Sequence, residues 1–86
     1  MKLSDRLEML EGQYMFAKWV GGNEYVKLVH VGEDFFEFDI INADTMEYQE
    51  TTMMQKNLLL EVILGGADVQ RVIAEMSCNL PSANKD

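Results

Sequence analysis

Hydrophobic and polar residues alternate along much of the chain in a pattern typical of β-strands. "YMFAKWV" and "EYVKLVHV" flank a Gly-Gly-Asn signal at residues 21–23 and predict a β-hairpin. In "FFEFDII", residues 35–41, apolar side chains alternate with acidic ones, so one face of the strand is apolar. After a turn predicted at "NADT", "MEYQETTMM" alternates again, and the later run "LLLEVIL" is continuously apolar. The pattern therefore predicts a mainly β fold.

The residues before the first strand predict a short helix over 3–11. Its apolar residues fall on one helical face, and they are Leu3, Leu7 and Leu10. Ser4 can cap the N-terminus of this helix, and Gly12 suits the C′ position, which favours left-handed backbone. Because two turns of helix are not stable alone, we expect this helix to lie against an apolar surface.

The stretch "VILGGADVQRVI", residues 62–73, permits two interpretations. As helices, the two glycines end one helix and Asp68 caps a second, whose apolar residues are Val69, Val72, Ile73 and Met76. As strands, a tight Gly-Gly-Ala-Asp link joins two buried antiparallel strands. Four preceding β-like segments and the shortness of "LLLEVIL" favour the strands. We therefore predict a strand within 46–64 and a fifth strand at 69–76.

Two short motifs carry a resemblance to a known family. "WVGGNEY" supplies a glycine hairpin, and an acid, an aromatic, an apolar residue and a further acid follow at Glu33, Phe35, Phe36 and Glu37. "LGGADVQRV" has the spacing of a motif I-R-G-x-x-I-x-x-I, matched at Leu64, Gly66, Val69 and Val72. With the order helix, then five strands, residues 3–76 resemble the Sm-like (LSm) family. The resemblance implies an N-terminal helix on a five-stranded, strongly bent antiparallel SH3-like barrel.

The resemblance also implies an RNA pocket with altered residues. In the family, an aromatic ring stacks on a base, an asparagine reads the base edge, and an arginine closes the pocket. Phe35 keeps the stacking ring and Glu33 keeps the acid, whereas Glu37 stands at the asparagine and Gly65 at the arginine. An ionised carboxylate only accepts hydrogen bonds, and the cation is lost. We therefore expect Phe35 to be an ordinary barrel or interface aromatic rather than part of a uridine site.

The charge distribution argues against nucleic acid and anionic membranes as partners. The formal net charge is −8, with 15 acidic and 7 basic residues. Between Lys27 and Lys56 there is no Lys or Arg, but there are seven acids: Glu33, Asp34, Glu37, Asp39, Asp44, Glu47 and Glu50. Such a field repels phosphate groups. We expect neither DNA nor a membrane as partner, and favour a protein partner over RNA.

No constellation of residues supports catalysis or metal binding. His30 is the single histidine and lies within a predicted strand, and Cys78 is the single cysteine, so no intrachain disulfide can form. No Cys or His pair has zinc spacing, and no glycine-rich loop could hold a phosphate. We therefore expect no enzymatic activity, cofactor or metal. The free cysteine and the absence of an apolar leader or membrane-spanning run predict a cytoplasmic protein.

These observations predict one Sm-like domain over 1–86, with a helix at 3–11, a barrel at 13–76 and a flexible tail at 77–86. A chain this short buries little surface, so we expect it to associate with copies of itself. The resemblance implies a cyclic homo-oligomer of about five to seven copies. Strand pairing between copies would involve Leu58, Leu60, Val62, Val69, Arg71, Val72 and Ile73.

The predicted function is a ring-forming, non-enzymatic binding or scaffold protein whose partner is a protein. The first alternative is an Sm-like RNA-binding protein with a modified uridine pocket. The second is an α+β module with two C-terminal helices, in which "VILGGADVQRVI" is helical.

Overall fold

A computed structural model of the chain describes residues 1–80. It contains one antiparallel sheet, with one helix before the first strand and one after the last strand. The elements are α1 (Leu3–Glu8), β1 (Tyr14–Trp19), β2 (Gly22–Val31), β3 (Phe35–Asn42), β4 (Glu47–Gln55), a 3-10 turn (Lys56–Leu58), β5 (Leu59–Ile63) and α2 (Ala67–Asn79). The five strands lie in the order β4-β3-β2-β1-β5. The predicted N-terminal helix and mainly β fold are therefore confirmed.

One face of the sheet carries the hydrophobic core. Met15 of β1, Val26 of β2 and Phe38 of β3 are fully buried there, and α1 and the turn after it add Leu7 and Leu10. Met54 of β4 and Leu59 of β5 belong to the same cluster, although these strands lie at opposite edges of the sheet. The sheet must therefore bend strongly around its core, and irregularities in register occur in three of its strand pairs.

The sheet is not closed within residues 1–80, so the predicted barrel is not confirmed. The strand order ends at β4 on one side and at β5 on the other, and these two strands do not pair with each other. β5 pairs with β1, matching Ala17 with Val62 and Phe16 with Ile63. The first strand is thus held between β2 and β5.

The prediction of a fifth strand at 69–76 is wrong, because this segment lies in α2. The predicted strand at 46–64 is instead two strands, β4 and β5, joined by the 3-10 turn. β5 pairs with the side of β1 that β2 leaves free, so a strand at 69–76 could not pair with β1. The segment from Val69 therefore follows its helical periodicity, and Met76 is fully buried. Each interpretation of "VILGGADVQRVI" was correct for one half of that stretch.

Other sequence predictions hold with shifted bounds. The β1–β2 hairpin is confirmed, with Trp19 paired to Gly22. The turn at "NADT" is confirmed by the Asn42 Oδ1 atom, which accepts hydrogen bonds from the backbone N–H groups of Asp44 and Thr45. The Ser4 cap is wrong, because the helix begins one residue earlier and the backbone N–H of Lys2 donates to the carboxylate of Asp5.

The predicted tail is wrong for residues 77–79, which continue α2. Residues 81–86 of that prediction lie outside the described residues.

Candidate functional site

The two edges of the sheet are the most extensive unpartnered feature of residues 1–80. β4 is largely exposed along its length, with Met53 70% exposed. At the opposite edge, β5 exposes 64% of Leu60. Neither strand has a second neighbour within the described part of the chain. Each edge therefore presents free backbone hydrogen-bonding groups beside an exposed apolar side chain, as strand pairing between chains requires.

Leu60 lies at an irregularity that leaves it outside the β1–β5 register. Glu61 is opposite Lys18 and Leu59 is opposite Trp19, so Leu60 is the extra residue of a bulge. Beside the bulge, Lys18 and Glu61 are paired across the two strands, and their Nζ and Oε1 atoms are 3.7 Å apart. Of the other predicted interface residues, Val62 lies on β5 and Leu58 ends the 3-10 turn before it, so this part of the predicted interface is at or next to a sheet edge.

The other four predicted interface residues lie on α2: Val69, Arg71, Val72 and Ile73. The three apolar side chains among them are half-buried, and Arg71 Nη1 lies 3.2 Å from Asp68 Oδ1 on the same helix. A helix makes its backbone hydrogen bonds internally. These residues therefore cannot form the strand pairing predicted for them.

A second candidate site lies where the β2–β3 loop meets the link between β4 and β5. The backbone N–H of Lys56 donates to the carbonyl oxygen of Asp34 at 3.0 Å, which fixes the link against the loop. The two segments line a cleft of about 410 Å³ with Glu33, Asp34, Gln55, Lys56 and Asn57. The Lys56 ammonium also lies 5.8 Å from the centroid of the Phe36 ring. A cation thus stands beside the acidic loop.

The structure brings together only part of the pocket predicted from the resemblance. Glu33 lines the cleft, and Phe35 follows it at the start of β3, where its ring packs over Gly32. Glu37 is two residues further along β3, opposite Met53 of β4. Gly65 follows the far end of β5, roughly 16 Å along the strand from the link.

Lys56, and not a residue near Gly65, supplies the basic side chain beside the loop, and it was not among the predicted site residues. The signal was present in "QKN", which interrupts two strand-like runs at residues 55–57. Treating 46–64 as one strand hid that interruption. The glycine motif, predicted to link two strands, instead lies between β5 and α2.

A third cleft lies on the face of the sheet opposite the core, under the C-terminal half of α2. It includes Tyr14, Lys27, Ser77 and Leu80. Lys27 is 9% exposed and is the only charged residue that is buried within residues 1–80. Burial raises the pKa of the Tyr14 hydroxyl above its ordinary value of 10.0, and the negative charge of Asp39 raises it further.

His30 contacts Glu11, a residue that links two parts of the fold. Its Nδ1 atom lies 3.2 Å from Oε2 of Glu11, and the same oxygen accepts a hydrogen bond from the backbone N–H of Val31 at 2.7 Å. Glu11 therefore ties the segment after α1 to the end of β2. Cys78 is exposed on α2.

Comparisons of this chain with protein-family models, curated proteins and solved structures give no match. Among residues 1–80, no helix is both long and apolar enough to cross a membrane. Within the same residues, no three His, Cys, Asp or Glu side chains converge as metal ligands would.

Proposed function

We propose that this chain is an Sm-like protein that assembles into a ring and acts as a non-enzymatic binding or scaffold protein for a protein partner. The observation that carries the proposal is the pair of free sheet edges, each with an exposed apolar side chain, at Met53 and Leu60. In a ring, β4 of each copy would pair with β5 of the next, so both edges of every copy would have a partner. This pairing replaces the one predicted between 46–64 and 69–76.

The two edges differ, so the contact between copies is heterologous and ends only when a ring closes. The bend of the sheet around a single core is compatible with the SH3-like barrel that the resemblance implies. The same resemblance implies about five to seven copies per ring. An exposed free thiol at Cys78 suits a reducing cytoplasm, which is the proposed location.

The acidic surface supports a protein rather than a nucleic acid as partner. Glu47 and Glu50 are exposed on β4, and Glu61 is exposed on β5. Glu33 and Asp34 are exposed in the β2–β3 loop. With a net charge of −8, this distribution repels phosphates and favours a partner that offers a basic surface.

The test is native mass spectrometry of the wild-type protein and of two variants, Met53→Lys and Leu60→Lys. Lysine on an edge strand opposes strand addition. Each variant should be monomeric, because every contact in a heterologous ring uses both edges. Mixing the two variants should then yield a one-to-one dimer, since each retains the edge that the other has lost.

Met9→Lys is the matched control, because Met9 is exposed near α1 and lies outside both edges. It should keep the wild-type assembly. A monomeric wild-type protein would contradict the proposal. So would edge variants that keep the wild-type stoichiometry, or variants that form no dimer when mixed.

RNA binding is the second candidate function, and the cleft of Glu33, Asp34, Gln55, Lys56 and Asn57 is the observation that favours it. Phe35 borders this loop and offers a ring for base stacking, while Lys56 offers a charge for a phosphate. Fluorescence anisotropy with labelled oligouridylate tests it. Binding should weaken with salt and be lost in Phe35→Ala and Lys56→Met, but not in the control Lys18→Met. No binding at low salt would exclude this function.

A further inference from the structure

The cleft between α2 and the sheet has the features of a small-ligand site that neither ring assembly nor RNA binding uses. It has a volume of about 320 Å³ and lies beside the start of β1. Its apolar wall comes from Ile73 and Leu80, and its polar wall comes from Tyr14, Lys27 and Ser77. Small-molecule sites commonly combine an apolar lining with a few fixed polar groups.

Lys27 is buried, and residues 1–80 offer no partner for its charge. No carboxylate lies within 4.0 Å of its Nζ atom among residues 1–80, and no side-chain hydrogen bond includes it. Its Nζ atom lies 5.5 Å from the centroid of the Tyr14 ring. Asp39 of β3 is directly opposite Lys27 in the β2–β3 pair, but the Asp39 carboxylate accepts a hydrogen bond from the Thr51 hydroxyl instead. Because no carboxylate among residues 1–80 neutralises this ammonium, an anion in the cleft would form an ion pair with it.

Lys27 can be reached from the cleft that it lines. In residues 1–80, every fully buried side-chain nitrogen or oxygen has a hydrogen-bond partner. Nζ of Lys27 has no such partner among residues 1–80, so within that part of the chain it is not fully buried, although the residue as a whole is 9% exposed. Because Lys27 lines the cleft, the cleft is the route by which a ligand could reach this atom.

The surroundings favour a monoanion with an apolar group over phosphate. Phosphate sites usually combine several cations or free backbone N–H groups. Here the N–H groups of Gly12 and Gln13 are already donated to the carbonyl oxygens of Leu28 and Leu10. Among residues 1–80, Lys27 is the only cation lining the cleft, and Asp39 adds a negative charge nearby. A carboxylate needs one ammonium and a hydroxyl donor, and its apolar substituent can contact the apolar wall.

We propose that this cleft binds a small organic carboxylate, with the ammonium of Lys27 on the carboxylate, the hydroxyl groups of Tyr14 and Ser77 beside it, and the apolar part of the ligand against Ile73 and Leu80. The carboxylate can belong to a free short-chain acid or to the C-terminus of a peptide. The site is on the opposite face of the sheet from the core and is separate from both sheet edges.

Nuclear magnetic resonance titration of ¹⁵N-labelled full-length protein with butyrate, N-acetylvaline, butyramide and inorganic phosphate tests the proposal. Butyrate and N-acetylvaline represent the free acid and the peptide terminus, and the tighter of the two identifies the source. We expect saturable shifts at the amides of Gln13, Tyr14, Lys27 and Ser77, with dissociation constants in roughly the millimolar range for so small a ligand. Neutral butyramide should produce no saturable shift.

Lys27→Met keeps the length of the side chain and removes its charge, so carboxylate binding should weaken at least roughly tenfold. Lys18→Met is the matched control, because Lys18 is on the same strand face as Tyr14 but does not line the cleft. Ser77→Leu alters an exposed helix position and fills the cleft, so it should abolish binding even if Lys27→Met does not fold.

Three outcomes would overturn the proposal. One is the absence of saturable shifts with either carboxylate. Another is binding that survives in both Lys27→Met and Ser77→Leu, which would indicate adventitious binding elsewhere. The third is phosphate binding tighter than that of both carboxylates, which would show that the cleft recognises a different class of anion.

Discussion

At Gly32, the missing side chain makes room for the Phe35 ring. A Cβ atom at this position would overlap three atoms of that ring. The backbone N–H of Gly32 also donates to the Phe35 carbonyl oxygen at 2.8 Å, so the two residues close the loop that holds Glu33 and Asp34. The shape of the acidic loop therefore depends on a glycine at one side and an aromatic ring at the other.

Gly32→Ala should reduce the free energy of unfolding by about 1–3 kcal/mol, because the Phe35 ring must leave its position. Urea denaturation of the variant measures this change. Gly65→Ala is the control, since a Cβ there has no atom within 4 Å. In a Phe35→Ala background the cost of Gly32→Ala should largely disappear. An equal cost in both backgrounds would contradict the packing explanation.

Tyr14 should make the protein less stable at alkaline pH. Burial and Asp39 raise its pKa in the folded state above the ordinary value of 10.0. The stabilising contribution of the protonated hydroxyl is therefore complete below pH 10 and is lost as the pH rises through the higher folded pKa. In Tyr14→Phe, urea denaturation between pH 9 and 11.5 should show a smaller loss of stability than in the wild type.

Tyr48→Phe is the comparison, because it removes a hydroxyl from an exposed tyrosine. If Tyr14→Phe and the wild type lose stability in parallel above pH 10, the hydroxyl of Tyr14 is not the cause.

At the scale of the elements, alternating patterns were sufficient to find strands but not to distinguish the last strand from the last helix. Phe36 and Phe38 alternate with acids, and β3 was located within one residue. "LLLEVIL" and "VQRVI" are both short and apolar, and each pattern fits either structure. The choice depends on the pairing of β5 with β1, a contact between residues distant in sequence.

The candidate sites were less predictable than the strands. Glu33 and Phe35 could be found because they follow a recognisable glycine hairpin at a fixed spacing. Lys56 could not, since its position beside Asp34 depends on where β4 ends. Lys27 was hidden in an apolar strand, and its burial depends on α2, which was predicted as a strand.

Met76→Ala should reduce the free energy of unfolding by about 2–5 kcal/mol, because Met76 is fully buried between α2 and the sheet. Cys78→Ala, two residues later on an exposed position of the same helix, is the control and should change stability little. Urea denaturation followed by far-ultraviolet circular dichroism measures both. A similar small effect in both variants would show that α2 does not pack against the sheet as described.

For the whole molecule, charge should set how assembly responds to salt. Each copy carries a formal net charge of −8, and exposed acids lie on both edge strands. Added salt screens the repulsion between copies. We therefore expect ring assembly, measured by sedimentation velocity from 20 to 300 mM NaCl, to strengthen with salt.

RNA binding should show the opposite trend, because displaced counterions make it weaker as salt increases. Assembly that weakens steadily with salt would contradict repulsion between acidic edges. Met9→Lys is the control, and its assembly should respond to salt as the wild-type protein does.

The pairing of the first strand with the last has a consequence for synthesis on the ribosome. Ala17 emerges 45 residues before its partner Val62 (62 − 17 = 45). Until then, the nascent chain can form β1 to β4, but the outer side of β1 has no partner and the core lacks Leu59. Native contacts so far apart in sequence also slow folding. Ribosome-bound chains that end before residue 59 should therefore be recognised by chaperones, and release from them should require β5.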